Sequence, residues 1–242
     1  MGQQTRSGRP TVGMLTIGQA PRPDIVGAFD DLDADILEGG ALDGLTAAQV
    51  QAEASPTPDD VAGDRTVYVT RLADGTEVKV LKSYVTNGLQ QRIDELAPRC
   101  DLIAVLCTGT FPTLESPVPL VLPDQVLQER VEELGATDRL HVVMPAPEQR
   151  EFMEGKWAPV VRSLSLDSAS PYQPFDAAAI VAAAVSGPVA PQAIALDCMG
   201  FRAEHRQALE VALVRAGHQD IPVVLSQEAV AHAVQHALGN VD

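Results

Sequence analysis

Apolar and polar positions along the chain fall into two alternating patterns. Short continuous apolar runs are typical of buried strands in parallel sheets, and longer segments with apolar residues at helical spacing indicate helices. The strands predicted in this way are residues 11–17, 66–71, 77–81, 102–106, 140–144, 193–196 and 221–225. The predicted helices are residues 46–54, 84–96, 125–134, 147–157, 175–185, 203–215 and 226–238. Because strands and helices alternate, we expect an α/β fold with mainly parallel sheets.

Turn and capping residues mark where some of these elements begin. Asp74 and Gly75 stand between two β-rich runs, and this dipeptide is a strong hairpin signal. Thr46 and Ser226 are predicted to cap the helices that begin beside them, because Ser and Thr side chains accept backbone N–H groups at helix starts. The sequence therefore predicts one antiparallel hairpin among the parallel strands.

The alternation of strand and helix occurs in both halves of the chain, without a clear sequence repeat. We expect a disordered tail at residues 1–10, an N-terminal α/β lobe at 11–120 and a C-terminal α/β lobe at 121–242. The sequence leaves open that the final helix packs back on the first lobe. Residues 55–60 are predicted to be a loop. Residues 107–123, with four prolines, form a longer loop of a length that is usually functional or disordered.

Composition excludes several classes of partner. The 242 residues include 33 acidic and 17 basic side chains, for a formal charge of −16, so we expect neither nucleic acid nor an anionic membrane as a partner. No apolar stretch approaches the roughly 20 residues that a membrane helix needs, and no signal peptide is recognised. Three cysteines, an odd number, favour a reducing cytoplasm. Glycine-rich nucleotide motifs and metal-ligand spacings are absent, so neither a cofactor nor a metal is expected.

Two cysteines stand at the ends of predicted central strands, one in each half. Cys107 follows the run at 102–106, and Cys198 follows the run at 193–196. Ligands of open α/β sheets bind at the carboxyl ends of the strands. Two thiols that face each other there can take a proton from one face of a carbon and return it to the other. The third cysteine, Cys100, lies at a helix–strand junction and is interpreted as packing.

Several polar residues near the same strand ends are candidates for substrate binding. Backbone N–H groups and hydroxyls after each cysteine suit a carboxylate or an oxyanion, and an arginine can grip a carboxylate with two hydrogen bonds. The candidates are Gln19, Arg22, Thr108, Gly109, Thr110, Gly200, His205 and Ser226. Structural roles stay open for three of them: a surface arginine for Arg22, a solvated histidine for His205 and a helix cap for Ser226.

Three motifs in the chain resemble the AroM family. They are LTIGQAPRPD at 15–24, LCTGTFP at 106–112 and LDCMGF at 196–201, the last followed by His205 and Arg206. The resemblance covers about residues 11–238, and AroM proteins resemble the aspartate/glutamate racemase superfamily. This resemblance implies two α/β lobes with a cleft between them and no cofactor. It also implies that each lobe supplies one cysteine for proton transfer at Cα.

The segments around the cysteines differ from those of the amino-acid racemases. Thr108-Gly109 replaces Asn-Thr, Met199-Gly200 replaces Thr and its neighbour, and Gly18-Gln19 stands where those enzymes tend to carry Asp-Ser. The resemblance therefore does not indicate glutamate or aspartate as the substrate.

The leading hypothesis is a cytoplasmic, cofactor-independent racemase or isomerase of a small carboxylate, with Cys107 and Cys198 as opposed acid and base. One alternative keeps a single catalytic cysteine, as in the decarboxylases and cis–trans isomerases of the superfamily. A second is a non-catalytic small-molecule-binding or regulatory protein, and a third is a redox switch between the two cysteines. A homodimer is left open.

Overall fold

The computed structural model describes residues 8–57 and 66–239. The first seven residues of the tail predicted at 1–10, and the last three of the loop predicted at 55–60, lie outside the described residues. Within them the chain forms two four-stranded parallel sheets, one two-stranded hairpin and helices that cover the sheets. The expected α/β fold with mainly parallel sheets is confirmed.

Ten strands are described. They are β1 (Thr11–Thr16), β2 (Asp35–Gly40), β3 (Val67–Arg71), β4 (Glu77–Leu81), β5 (Leu102–Val105), β6 (Leu120–Val121), β7 (Leu140–Met144), β8 (Leu164–Ser168), β9 (Ala193–Leu196) and β10 (Val223–Leu225). The helices are α1 (Pro23–Val26), α2 (Ala47–Gln49), α3 (Lys82–Leu96), α4 (Pro123–Glu133), α5 (Arg150–Trp157), α6 (Ala177–Ala184), α7 (Ala203–Ala216) and α8 (Ser226–Leu238).

The two parallel sheets repeat one strand order. The first sheet runs β2-β1-β5-β6, and the second runs, read from the opposite edge, β8-β7-β9-β10. In the first sheet β1 lies between β2 and β5, and in the second sheet β7 lies between β8 and β9. The first strand of each half therefore lies between the next two strands of its sheet, with the hairpin of β3 and β4 left out of the count. Cys107 follows β5 and Cys198 follows β9, so the two cysteines occupy equivalent places in the two halves.

Each sheet is covered by helices on both faces. In the first sheet Leu15 and Ile103 pack against α3, while Met14 packs against Val230 and Val234 of α8. In the second sheet α4 and α5 cover one face, and α6 and α7 cover the other. The helix after β6 thus packs on the second sheet and the helix after β10 packs on the first. This exchange brings the two halves together around two shared apolar layers.

The hairpin of β3 and β4 is confirmed, with Gly75 at its turn in a left-handed conformation, φ +86°. It lies against the end of β1, where the N–H of Gln19 donates to the carbonyl of Arg71 at 3.1 Å. It also contacts the second half, because Lys79 forms an ion pair with Glu148 at 2.7 Å. The hairpin therefore spans the gap between the two sheets.

The sequence prediction missed three strands and placed one cap wrongly. β2 and β8 are edge strands that carry acidic and small residues, and β6 has two residues within the loop predicted at 107–123. The cap predicted at Thr46 is confirmed, and Thr46 forms a capping box with Gln49. Ser226, predicted as a cap, lies instead inside the first turn of α8, and its hydroxyl donates to the carbonyl of Leu196. Nowhere in residues 8–57 and 66–239 is there a helix with the length and apolarity to cross a bilayer.

Candidate active site

The two cysteines stand in equivalent turns. The N–H of Gly109 donates to the sulfur of Cys107 at 3.4 Å, and the N–H of Gly200 donates to the sulfur of Cys198 at the same distance. In each case the donor is the second residue after the cysteine, just beyond a central strand. Both thiols are half-buried, and neither forms a disulfide. The fold thus builds one Cys-x-Gly turn twice, once at the end of each sheet.

A tyrosine covers each of these turns. A Cβ atom on Gly109 would lie 2.4 Å from the ring of Tyr68, and one on Gly200 would lie 2.6 Å from the hydroxyl of Tyr172. Tyr68 comes from β3 of the hairpin, and Tyr172 comes from the loop after β8. Since any Cβ would collide there, glycine is needed at both positions for the tyrosines to approach.

The two turns face one cavity between the sheets. The empty space between its walls is about 470 Å³, part of which opens to solvent. Its polar lining includes Thr16, Arg22, Tyr68, Thr70, Cys107, Thr108, Gln149, Tyr172 and Cys198, together with the backbone of Gly109 and Gly200. Its apolar lining includes Ile17, Ile25, Phe152, Met153 and Met199. The cavity therefore combines two thiols, hydrogen-bond donors and an apolar wall, as expected of a small-molecule site.

Arg22 brings a fixed positive charge to the cavity. Only 4% of the residue is exposed, and its guanidinium donates to both carboxylate oxygens of Asp24 at 2.8 Å. The same guanidinium donates to the hydroxyl of Tyr172 at 3.1 Å. Burial alone would lower the pKa of Arg22, but the hydrogen bonds with Asp24 and Tyr172 and the charge of Asp24 raise it overall. Arg22 therefore stays charged, and Asp24 and Tyr172 hold its guanidinium in one orientation.

A buried ion pair lies behind the two cysteine turns. Lys156, on α5, donates to both carboxylate oxygens of Asp197 and to the carbonyl of Thr108, each at 2.8 Å. The indole N–H of Trp157 donates to Asp197 at 2.8 Å. The side chains of Lys156 and Asp197 are both 0% exposed. Such a pair is tolerated in a protein interior because every charged atom has a partner.

Both thiols are held in the protonated form by their surroundings. Burial raises the pKa of Cys107 to about 12, although the N–H of Gly109 and the charge of Lys156 lower it. Burial likewise raises the pKa of Cys198 to about 11, and there Asp197 adds to the rise while Gly200, Arg22 and Lys156 oppose it. Each thiol would disfavour ionisation of the other, because two thiolates repel.

Three polar atoms of the cavity lining are buried without a hydrogen-bond partner among the described residues. The hydroxyl of Tyr68 is one of them; Thr110 is close, but the geometry does not make a hydrogen bond. The others are Oγ1 of Thr70 and Oε1 of Gln149. Outside the cavity lining, Oδ1 of Asp124 also has no partner among the described residues, and burial raises the pKa of that carboxyl group. No cluster of three His, Cys, Asp or Glu side chains that could hold a metal ion occurs in the part of the chain that the structure describes.

Of the residues proposed from sequence, six line the cavity: Arg22, Cys107, Thr108, Gly109, Cys198 and Gly200. Thr108 contributes mainly to structure there, since it is 5% exposed and its hydroxyl donates to the carbonyl of Asp197 at 3.3 Å.

The other four residues do not line the cavity. The amide of Gln19 donates to the carbonyls of Leu42 and Leu45, so it clamps a loop. Thr110 accepts a hydrogen bond from Lys82, and Ser226 is fully buried against Leu196.

The Nδ1 atom of His205 accepts the N–H of Arg202 at 2.9 Å, and its ring packs against Phe175 and Phe201. It lines a second pocket beyond Tyr172. Gln19, Thr110 and Ser226 thus hydrogen-bond to other parts of the chain, and His205 faces the second pocket instead of the cavity.

Sequence reasoning did not find Tyr68, Tyr172 or Lys156. The two tyrosines come from segments outside the central strands, and nothing in their local pattern points to the cavity. The sequence did contain an indication of Lys156. Asp197 stands at the end of an apolar strand, and a buried aspartate needs a cationic partner. Lys156 beside Trp157 in a helix with buried residues was available for that role.

Solved structures of several enzymes share this fold. A double mutant of arylmalonate decarboxylase, in a liganded form, matches with a TM-score of 0.62 and 16% identity, over 95% of this chain and 92% of that chain. Maleate isomerase from Pseudomonas putida S16 matches with a TM-score of 0.60 and 12% identity, over 95% and 93%. Glutamate racemase from Aquifex pyrophilus matches with a TM-score of 0.53 and 13% identity, over 94% and 83%. At these low sequence identities the comparisons show a shared fold.

Sequence comparison identifies the family. No curated protein matches the chain significantly. The sequence profile of the AroM family, described as AroM protein, matches residues 12–238, which is nearly the whole chain. With a racemase-like fold and a profile match of this extent, the chain belongs to the AroM family.

Proposed function

We propose that this protein catalyses proton transfer at the α-carbon of a small carboxylate, without a cofactor, and that Cys107 and Cys198 are its two acid–base groups. The observation that carries the proposal is the repeated Cys-x-Gly turn, which presents one thiol from each half to the same cavity. The racemase-like fold of the enzymes described above agrees with this chemistry.

Two thiols on opposite sides of a substrate invert a stereocentre in one balanced sequence. The thiolate of one cysteine takes the proton from Cα, and the electron pair of the C–H bond moves into the carboxylate to give an enediolate. The thiol of the other cysteine then donates its proton to the opposite face of the same carbon. One proton has been taken and one returned, so the two cysteines have exchanged protonation states.

The enediolate needs hydrogen-bond donors directed at its oxygens. Arg22 supplies a charged donor that Asp24 and Tyr172 hold in place. The hydroxyl of Tyr68 has no partner among the described residues and lies beside the turn of Cys107, so it is free to donate to a carboxylate oxygen. We assign substrate binding to Arg22 and Tyr68, while the N–H groups of Gly109 and Gly200 hold the two thiols.

The raised pKa values of the thiols limit the amount of the reactive form. Burial disfavours the thiolate at both cysteines, so the form with one thiolate and one thiol is a small fraction at neutral pH. In each direction of the reaction one cysteine acts as the base and the other as the acid.

A single-cysteine decarboxylase is the second candidate. It is favoured by the apolar wall of Phe152, Met153 and Met199, which suits an apolar substituent on the α-carbon. In that reaction carbon dioxide leaves a disubstituted malonate, and one cysteine protonates the resulting enediolate. The superposition on arylmalonate decarboxylase supports this alternative at the level of the fold.

Deuterium incorporation separates the candidates. The protein is incubated in D₂O with a panel of single-enantiomer 2-amino, 2-hydroxy and 2-aryl carboxylic acids and with 2-aryl malonates, and Cα–H signals are followed by NMR. The proposal predicts deuterium incorporation with loss of optical activity for at least one monocarboxylic acid. Carbon dioxide release from a malonate, without exchange of any monocarboxylic acid, would establish the second candidate instead. No reaction with any member of the panel would contradict both.

A further inference from the structure

Lys156 connects the two cysteine turns directly. Its ammonium group donates to the carbonyl of Thr108, the residue after Cys107, and to the carboxylate of Asp197, the residue before Cys198. The hydroxyl of Thr108 also donates to the carbonyl of Asp197. One buried side chain on α5 thus ties the end of β5 in the first sheet to the end of β9 in the second.

Stability alone is a poor reason for this arrangement. Two buried charges lose their hydration, and replacing such a pair with apolar residues of similar volume is often neutral or stabilising. The network is nevertheless complete, since Asp197 accepts from Trp157 as well as from Lys156. Its position between the two thiol-bearing turns indicates a role in the cleft that they form.

We propose that Lys156 is a positioning residue, which fixes the two cysteine turns relative to each other and places a positive charge, balanced by Asp197, beside both. The proposal rests on the function proposed above for its effect on turnover. Its effect on the thiols does not depend on any substrate.

The charged and titratable groups around each thiol decide how the Lys156–Asp197 ion pair affects the ionisation of that thiol. The groups that interact with Cys107 are Cys198, Lys156, Lys82 on α3, Asp124 on α4 and Tyr68 on β3. Cys198 is influenced by Asp197, Arg22, Lys156 and Tyr172. Lys156 favours the thiolate at both cysteines, whereas Asp197 disfavours it at Cys198. Removing either partner therefore leaves an uncompensated charge of known sign.

Two substitutions that break the same ion pair are expected to act on the thiols in opposite directions. In Asp197→Asn the unbalanced ammonium should move the alkylation midpoint of Cys198 down by about one pH unit or more. In Lys156→Met the unbalanced carboxylate should move it up. The probe is iodoacetamide, with the modified cysteine peptides quantified by mass spectrometry across the pH range. A purely structural role would loosen the cleft and shift the reactivity of Cys198 in the same direction in both variants, which would overturn the proposal.

Controls are available in the same chain. Cys100 is buried at 5% exposure and serves as an internal measure of unfolding in every sample. Lys79→Met breaks the exposed ion pair with Glu148 and should leave both alkylation midpoints unchanged. Because alkylation needs no turnover, these results stand whether or not the deuterium experiment finds a substrate.

A double variant keeps the proposal testable if the single variants fail to fold. Lys156→Met with Asp197→Leu removes both charges and should fold, because no buried charge is left unpaired. Cys107 then loses the favourable charge of Lys156, so its alkylation should slow, while that of Cys198 should not. Faster alkylation of both cysteines would mean that the pair served only to pack the cleft, and would contradict the proposal.

Discussion

The hydroxyl of Tyr172 accepts a 3.1 Å hydrogen bond from the guanidinium of Arg22 and so joins the two halves of the molecule across the cavity. Arg22 follows the first strand of the first sheet, and Tyr172 follows an edge strand of the second. Arg71 of the hairpin stacks on the ring of Tyr172, with its guanidinium carbon 3.6 Å from the ring centroid. One side of the cavity is therefore closed by side chains from three separate segments.

Tyr172→Phe should loosen this closure. The variant loses one hydrogen bond to a buried charged group, so the free energy of unfolding in urea should fall by about 1.5–3 kcal/mol. Tyr84→Phe is the matched control, because its hydroxyl donates at 3.1 Å to the exposed carboxylate of Glu53. That control should change stability by less than about 0.5 kcal/mol. Equal effects of the two substitutions would show that the Arg22 contact does not join the halves.

Gly109→Ala and Gly200→Ala should each destabilise the protein by about 1–3 kcal/mol, since overpacking forces neighbours to move. The added Cβ would approach Tyr68 to 2.4 Å and Tyr172 to 2.6 Å, and those rings cannot move away without opening the cavity. Gly155→Ala is the control, because a Cβ at that helical position meets nothing within 4 Å. It should raise stability by about 0.5–1 kcal/mol. Unfolding in urea measures all three, and tolerance of alanine at 109 and 200 would refute the close tyrosine contacts.

Tyr68→Phe should show whether the Tyr68 hydroxyl serves substrate binding or the stability of the fold. The hydroxyl has no hydrogen-bond partner among the described residues, so its removal should leave the unfolding midpoint nearly unchanged. Turnover, measured as deuterium incorporation, should fall about 100-fold or more if the hydroxyl donates to the enediolate. A large loss of stability with unchanged turnover per folded molecule would assign Tyr68 to packing instead.

The raised thiol pKa values predict how stability changes with pH. Both thiols ionise less readily in the folded chain than in the unfolded chain, where the pKa of cysteine is about 8.5. The folded state thus binds more protons above that pH, and stability must fall as the pH rises. The contribution is complete below about 8.5 and is lost as the pH passes through about 11 and 12.

Urea unfolding at pH 7.5 and pH 10 measures this loss. The Cys107→Ser/Cys198→Ser double variant serves as the reference, since it keeps the other titrating groups of the cleft. The native protein should lose more stability between the two pH values than the double variant does. Parallel losses would show that the thiols are not held protonated by the fold.

The central strands and the two cysteines could be predicted because their signals are local. Leu102–Val105 and Ala193–Leu196 are continuous apolar runs, and each is followed at once by a turn that carries a thiol. β2 and β8 escaped prediction because edge strands are half-exposed and tolerate residues such as Glu38, Gly39 and Asp167.

The tyrosines and the ion pair depend on contacts between distant segments. Tyr68 lies 41 residues before Gly109 in the chain, and Tyr172 lies 28 residues before Gly200, yet each pair is in contact. Gln19 and Ser226 lie after strands whose ends are near the cavity, as the sequence predicts. Their side chains, however, hydrogen-bond to the carbonyls of Leu42 and Leu196 and do not face the cavity. A strand end fixes the neighbourhood of a side chain, while the direction of that side chain depends on its hydrogen-bond partners.

The central claim is that one thiol from each half acts on the same carbon. The most direct test compares Cys107→Ser and Cys198→Ser in D₂O with each enantiomer of a substrate found in the deuterium panel. The account predicts that neither variant inverts the stereocentre, and that each loses deuterium exchange with the enantiomer whose α-proton faced the missing thiol. Inversion at the native rate by either single variant would contradict it.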